Sequence, residues 1–126
     1  MIRTRTISMS VNKIVGITFD SIVELFPKFI PDVKINSAGW WSSISPYGKS
    51  KIKFNQNKSL GILDHECIDE ESSWSTLMHI IPNGDFSEVI ITLKKPDQLT
   101  DIQFDQRVEK ISKLATSMKI ILESNI

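Results

Sequence analysis

The sequence has a single cysteine, Cys67, and only two histidines, His65 and His79. One cysteine excludes an intrachain disulfide, which fits a reducing compartment. Net charge is also missing, since 15 basic residues balance 15 acidic ones. A nucleic-acid binder normally carries a basic excess, so no nucleic-acid partner is expected. No apolar run approaches the roughly 20 residues of a membrane span. The longest candidate, KIVGITFDSIVELFPKFI, is broken by Asp20, Glu24 and Lys28. The opening MIRTRTISMS lacks the apolar run of a signal peptide. The expectation is a cytoplasmic protein with no stable membrane insertion. Repeats, low-complexity tracts and linkers are absent too, so residues 1–126 read as one domain.

What is present is ordinary core material, 40% hydrophobic and 24% charged. A chain of this size buries about two-thirds of its unfolded surface, enough for a core without staples. RTISMSV alternates, with Ile7, Met9 and Val11 on one face. Residues 12–30 predict two short helices separated near Gly16 to Asp20, with Asn12 and Asp20 as caps. Phe26 before Pro27 and Ile30 before Pro31 mark their ends.

From residue 33 the pattern is strands and turns. VKINSAGWWSSI leads to the turn SPYG, and KSKIKF follows with Lys49, Lys51 and Lys53 opposite Ile52 and Phe54. NQNKS reads as a loop, LGILDHECI as a strand and DEESS as a turn. WSTLMHI and SEVIITLKK flank PNGD, a hairpin signal. The last segment places Phe104, Val108, Ile111, Leu114, Ala115, Met118 and Ile121 or Leu122 at helical spacing. Thr100 and Gln103 form a capping box. The helix is expected to cover about 22 residues, roughly 33 Å. The fold class is α+β, about six antiparallel strands in a curved sheet with one dominant C-terminal helix.

The run Asp64-His65-Glu66-Cys67 places metal-ligating and proton-moving residues side by side. Neighbours on a strand face opposite sides, so Asp64 and Glu66 share one face while Leu63, His65 and Cys67 share the other. With Asn83-Gly84 at the hairpin tip, Ile81 opposes Phe86, His79 opposes Glu88, Met78 opposes Val89 and Thr76 opposes Ile91. The inner side is then Trp74, Thr76, Met78, Ile80, Ser87, Val89, Ile91 and Leu93. Cys67 meets Trp74, His65 meets Thr76 and Leu63 meets Met78. His65 and Cys67 therefore point inward, and the carboxylates face solvent. A metal needs three or four ligands, and no third inward one is found, so no metal is expected. Positions i and i+2 stand about 6–7 Å apart, too far for a direct Cys-His nucleophile. Two readings of His65 stay open. One is a buried ring bonded to Thr76, Ser50 or water. The other is a polar group that orients a ligand in an apolar pocket. Trp41 opposes Ile52 and lies inside, leaving Trp40 outward.

NKSLGILDHEC, MHIIPNGDFSEVIITL and QLTDIQFDQRVEKISKLATSMKIILES closely resemble bacterial members of the SRPBCC, or START/Bet v 1-like, superfamily, often called polyketide cyclase/dehydrase-like. SPYGKSKIKF is similar to that family's earlier hairpin. The resemblance implies a helix-grip fold, in which an antiparallel sheet wraps the C-terminal helix around an apolar cavity. It also implies binding of a hydrophobic small molecule such as a lipid, polyketide or aromatic compound, without a cofactor. Such a ligand would touch Trp41, Ile52, Phe54, Leu63, Cys67, Trp74, Met78, Val89, Ile91, Leu114 and Met118, with His65, Thr76 and Ser50 fixing its orientation. Two alternatives stand beside this reading. One is a cyclase- or hydrolase-type enzyme with His65 as catalytic acid or base. The other is a partner-binding module with a filled core. Ile81 and Phe86, apolar near the hairpin tip, mark an edge for self-association as a homodimer.

Overall fold

The computed structural model describes residues 3–29, 33–35, 39–45 and 47–124. Seven strands form one antiparallel sheet in the order β1-β7-β6-β5-β4-β3-β2. They are β1 (Thr4–Val11), β2 (Lys34–Ile35), β3 (Trp40–Ser45), β4 (Gly48–Asn57), β5 (Ile62–Ile68), β6 (Ser73–Asn83) and β7 (Phe86–Lys94). The expected strands are present except that the one over VKINSAGWWSSI is two, β2 and β3, which pair antiparallel. Helix α1 (Val15–Leu25) follows β1, and helix α2 (Asp101–Ser124) closes the chain.

The region after β1 differs from expectation. One helix runs straight through residues 16–20 and passes into a 3-10 turn at Phe26–Phe29. Thr18, Phe19, Ile22 and Leu25 form one buried stripe along it, and that burial outweighs the roughly 1 kcal/mol that Gly16 costs. Neither expected cap acts as one. Ile14 occupies the N-cap without a side-chain bond, while Asp20 is exposed and pairs with Lys58 at 2.8 Å. The end expected at Phe26-Pro27 is where the α-helix stops; the Ile30-Pro31 end lies outside the described residues.

The expected NQNKS loop is mostly strand, because β4 continues to Asn57 opposite Ile62. Only Lys58 to Gly61 turn. Gly61 has φ 67°, and a Cβ there would collide with the Ile80 carbonyl oxygen. The Ser45–Gly48 turn and the Trp41–Ile52 pair are as expected.

The β6–β7 hairpin is shifted by two residues. Asn83 pairs with Phe86, so the turn is Gly84-Asp85, with Gly84 at φ 63°. Met78 therefore opposes Ile91, Thr76 opposes Leu93 and Ile81 opposes Glu88. His79 faces Ile90 and sits 3.4 Å from Asp64, not against Glu88. Because side chains alternate with period two, an even shift leaves every residue on its expected face. Ile81 and Phe86 are exposed at this end.

Helix α2 begins with the expected capping box. The Thr100 N–H donates to Gln103 Oε1 (2.9 Å), and the Gln103 N–H donates to Thr100 Oγ1 (3.2 Å). Its buried residues are Phe104, Arg107, Val108, Ala115, Met118 and Leu122. Leu122, not Ile121, completes the inner stripe. This stripe and the inner faces of β5, β6 and β7 meet the buried face of α1 in one core.

Candidate functional site

The core does not close completely. Between the inner sheet face, α1 and α2 lies a cavity of about 220 Å³. Strands β5 to β7 supply His65, Cys67, Trp74, Thr76, Met78, Val89, Ile91 and Leu93; β4 supplies Ile52 and β1 supplies Met9. Ile22 and Phe26 close one side, and Ile111, Leu114, Ala115 and Met118 of α2 close the other. A wider groove of about 490 Å³ involves Glu66, Lys94, Lys95 and Asp97. Its charged, solvent-side walls give a ligand little apolar surface.

Of the residues expected to contact a ligand, Ile52, His65, Cys67, Trp74, Thr76, Met78, Val89, Ile91, Leu114 and Met118 line this cavity. Trp41, Phe54, Leu63 and Ser50 do not. Leu63 is fully buried in the core. Trp41 stands behind Phe54, with ring centres 5.0 Å apart. Phe54 in turn packs on His65 (4.9 Å) and Phe26 (4.9 Å), forming an aromatic support behind the imidazole. The Ser50 hydroxyl is spent on Ser43, 2.9 Å away. Ser50 lies in an adjoining hollow of about 300 Å³ that shares Ile52, Cys67, Trp74, Ile111 and Leu114 with the cavity. Met9, Leu93, Ile111 and Ala115 were missed as contacts although their inward faces are plain in the alternation and the helical spacing. Ile22 and Phe26 depend on how α1 is placed.

His65 is 6% exposed, while Glu66 on the opposite face is exposed and Asp64 is half-buried. Its ring partner is neither Thr76 nor Ser50. His65 Nδ1 lies 3.1 Å from the Leu63 carbonyl oxygen. A carbonyl only accepts, so Nδ1 carries the proton. Burial lowers the imidazole pKa, against the opposing effects of this bond and of Asp64. The ring is therefore neutral, and Nε2 is an acceptor without a partner among the described residues. Such a ring has no proton at Nε2 to give. Of the acid and base roles, the geometry supports only the base. Burial pushes the Cys67 thiol up to about 12, so it is not a ready nucleophile. Asp64 turns back to the sheet and accepts the Met78 N–H at 2.9 Å, in the gap between the Ile62–His79 and His65–Thr76 pairs.

Arg107 is a site residue that helical spacing alone does not single out. Its side chain is 5% exposed and lies 2.7 Å from both Asp69 Oδ2 and Glu71 Oε2. Tyr47 covers its guanidinium at 3.7 Å. Burial works to raise the Asp69 pKa, but the bonds from Arg107 and from the Glu71 and Ser72 N–H groups outweigh it and hold the carboxyl below its ordinary value. This cluster ties α2 to the β5–β6 turn and walls the adjoining hollow. Arg107 is matched by its two carboxylates, while Lys110, also on the wall of the hollow, bonds the Tyr47 hydroxyl at 2.9 Å.

No group of three or more metal-ligating side chains occurs among the described residues. No helix among them is long and apolar enough to cross a membrane.

No protein-family model matches the sequence, and no curated protein matches it. Solved structures do. The chain is similar to Ara h 8.0201 at 16% identity and TM-score 0.73, over 99% of this chain and 100% of that one. It is similar to a START superfamily protein from Mycobacterium smegmatis at 12% identity and TM-score 0.69, over 98% and 99%. It is similar to norcoclaurine synthase from Thalictrum flavum, solved with dopamine and hydroxybenzaldehyde, at 12% identity and TM-score 0.64, over 93% and 88%. The chain has the SRPBCC/Bet v 1-like helix-grip fold.

Proposed function

We propose that this protein binds a hydrophobic small molecule of one or two rings in the cavity between the sheet and α2. The observation that carries the reading is the partly open cavity of about 220 Å³, walled by apolar side chains and interrupted by His65 and Thr76. A dry apolar cavity of about 150 Å³ holds benzene, so this volume suits a small ring system rather than a long acyl chain. Ligand sites usually begin at about 300 Å³, and the adjoining hollow, with its five shared wall residues, gives room for a substituent. Contact with Trp74, Met9, Met78 and Met118 supplies affinity at about 25 cal/mol per Å² of apolar surface removed from water. The same fold in norcoclaurine synthase is seen with dopamine and hydroxybenzaldehyde, which favours a ring-sized occupant. The void weighs against a filled-core partner module. A self-association edge at Ile81 and Phe86 is a separate proposal, resting on their exposure alone.

Trp74 lies on the cavity wall, so its fluorescence reports occupancy. Titration with naphthalene is expected to quench tryptophan emission saturably at one equivalent. Emission that falls only linearly, as for collisional quenching, would defeat the reading.

A further inference from the structure

The cavity wall is apolar except at two places, and those two are neighbours. His65 and Thr76 are directly paired across β5 and β6. Directly opposed residues hold their Cβ atoms about 5 Å apart. Both side chains are buried, at 6% and 7% exposure, and both line the cavity. Nδ1 of the imidazole is engaged by the Leu63 carbonyl. Neither Nε2 nor the Thr76 hydroxyl has a hydrogen-bond partner among the described residues. Neither atom is sealed off in the way the Ser72 hydroxyl is, the buried side-chain polar atom left without a partner among the described residues; both residues border the cavity and are open to a hydrogen-bonding occupant.

Their chemistry is complementary to one kind of group. Nε2 accepts a hydrogen bond, since the proton sits on Nδ1. The Thr76 hydroxyl both donates and accepts. A single hydroxyl can give its proton to Nε2 and take one from Thr76. An ether can accept from Thr76 but leaves Nε2 empty. A carboxylate has no proton for Nε2, and among the described residues no lysine or arginine lines the cavity beside His65 and Thr76.

We propose that the occupant is a neutral ring compound bearing a hydroxyl, and that this hydroxyl bridges His65 and Thr76. The inference rests on the small-molecule reading above and specifies the chemical class that the site selects. His65 and Thr76 are the specificity-determining pair, and the apolar wall contributes affinity without regard to the polar group. Phe54, backed by Trp41, packs on the imidazole at 4.9 Å, and Phe26 meets it edge-on at 5.6 Å.

The test is calorimetric titration of the full chain near pH 7.5 with naphthalene, 2-naphthol, 2-methoxynaphthalene and 2-naphthoate. The proposal expects 2-naphthol to bind about ten-fold tighter than naphthalene, the yield of one or two buried neutral hydrogen bonds. The methyl ether is expected no tighter than naphthalene, and the carboxylate weakest. In His65→Leu and Thr76→Val the ratio of 2-naphthol to naphthalene affinity is expected to fall toward one, whatever the absolute affinities. The ligand series on the unaltered protein decides the matter even where a variant folds poorly. Equal binding of 2-naphthol and naphthalene overturns the hydroxyl bridge and leaves the apolar cavity standing. Failure of all four compounds to bind overturns both.

Discussion

His65 Nδ1 stands 3.1 Å from the carbonyl oxygen of Leu63, two residues back on its own strand. This bond fixes the tautomer and leaves Nε2 as the acceptor of a residue that lines the cavity. It also predicts a pH response. Burial sets the folded-state pKa of His65 below its ordinary value. Between about 6.5, the unfolded value, and the lower folded value, the unfolded chain binds the extra proton. Stability is therefore complete above about pH 6.5 and falls as pH drops below it. Urea midpoints measured from pH 8 to pH 5 are expected to decline in the unaltered protein, and His65→Leu is expected to lose the part of that decline owed to the imidazole. Identical slopes in the two proteins would contradict a buried neutral ring.

Arg107 is expected to matter for stability far more than a surface arginine. Replacing it with leucine leaves Asp69, 7% exposed, without its cation. Breaking a buried pair from one side costs about 3–5 kcal/mol. Adding Asp69→Asn to Arg107→Leu is expected to recover part of that loss. The depressed Asp69 pKa gives stability that is present above about 3.9, the unfolded value, and is lost as pH falls through the lower folded value. Chemical denaturation of the single and double variants checks this. A loss under 1 kcal/mol for Arg107→Leu would count against the clamp.

Cys67 is expected to react slowly. With its thiol pushed up to about 12, thiolate is scarce at neutral pH. Labelling with iodoacetamide at pH 8 is expected to run at least ten-fold slower than in a denatured sample. Comparable rates would show that the thiol is not sheltered as described.

Ala115 of α2 lines the cavity and is 7% exposed. Leucine there projects into the void. Filling a cavity commonly adds about 0.5–2 kcal/mol of stability. Ala115→Leu is expected to raise the thermal midpoint and abolish naphthalene binding together. A variant that still binds as tightly as the parent would put the ligand elsewhere.

Gly61 is expected to resist substitution. It holds φ 67°, and an added Cβ meets the Ile80 carbonyl oxygen. Its own carbonyl accepts the Ile80 N–H at 2.8 Å, so the neighbouring backbone has no room to yield. Gly61→Ala is expected to cost more than 1 kcal/mol in urea denaturation, and a neutral result would contradict this turn geometry.

Faces were legible in the sequence, and contacts across elements were not. Strand alternation placed His65 and Cys67 inward even though the β6–β7 register was off by two, because parity survives an even shift. The α2 stripe named Phe104, Val108, Ala115 and Met118 as inner residues and left Ile121 or Leu122 open, but it also counted Leu114, which is 39% exposed at the cavity rim. Arg107 escaped because a lone arginine on a helix reads as solvated; its partners Asp69, Glu71 and Tyr47 lie on distant turns. Phe26 and Ile22 escaped because α1 was read as two short helices, which hid the buried stripe of one.

The most direct test uses the methionines. The protein has four, and Met9, Met78 and Met118 all stand on the cavity wall. With methionine methyl groups labelled with carbon-13, saturation with 2-naphthol or naphthalene is expected to shift these three resonances together through ring currents and to give contacts between their methyls and the bound ring. Three unmoved methyl signals under either saturated ligand would place the occupant outside the fold and end the account.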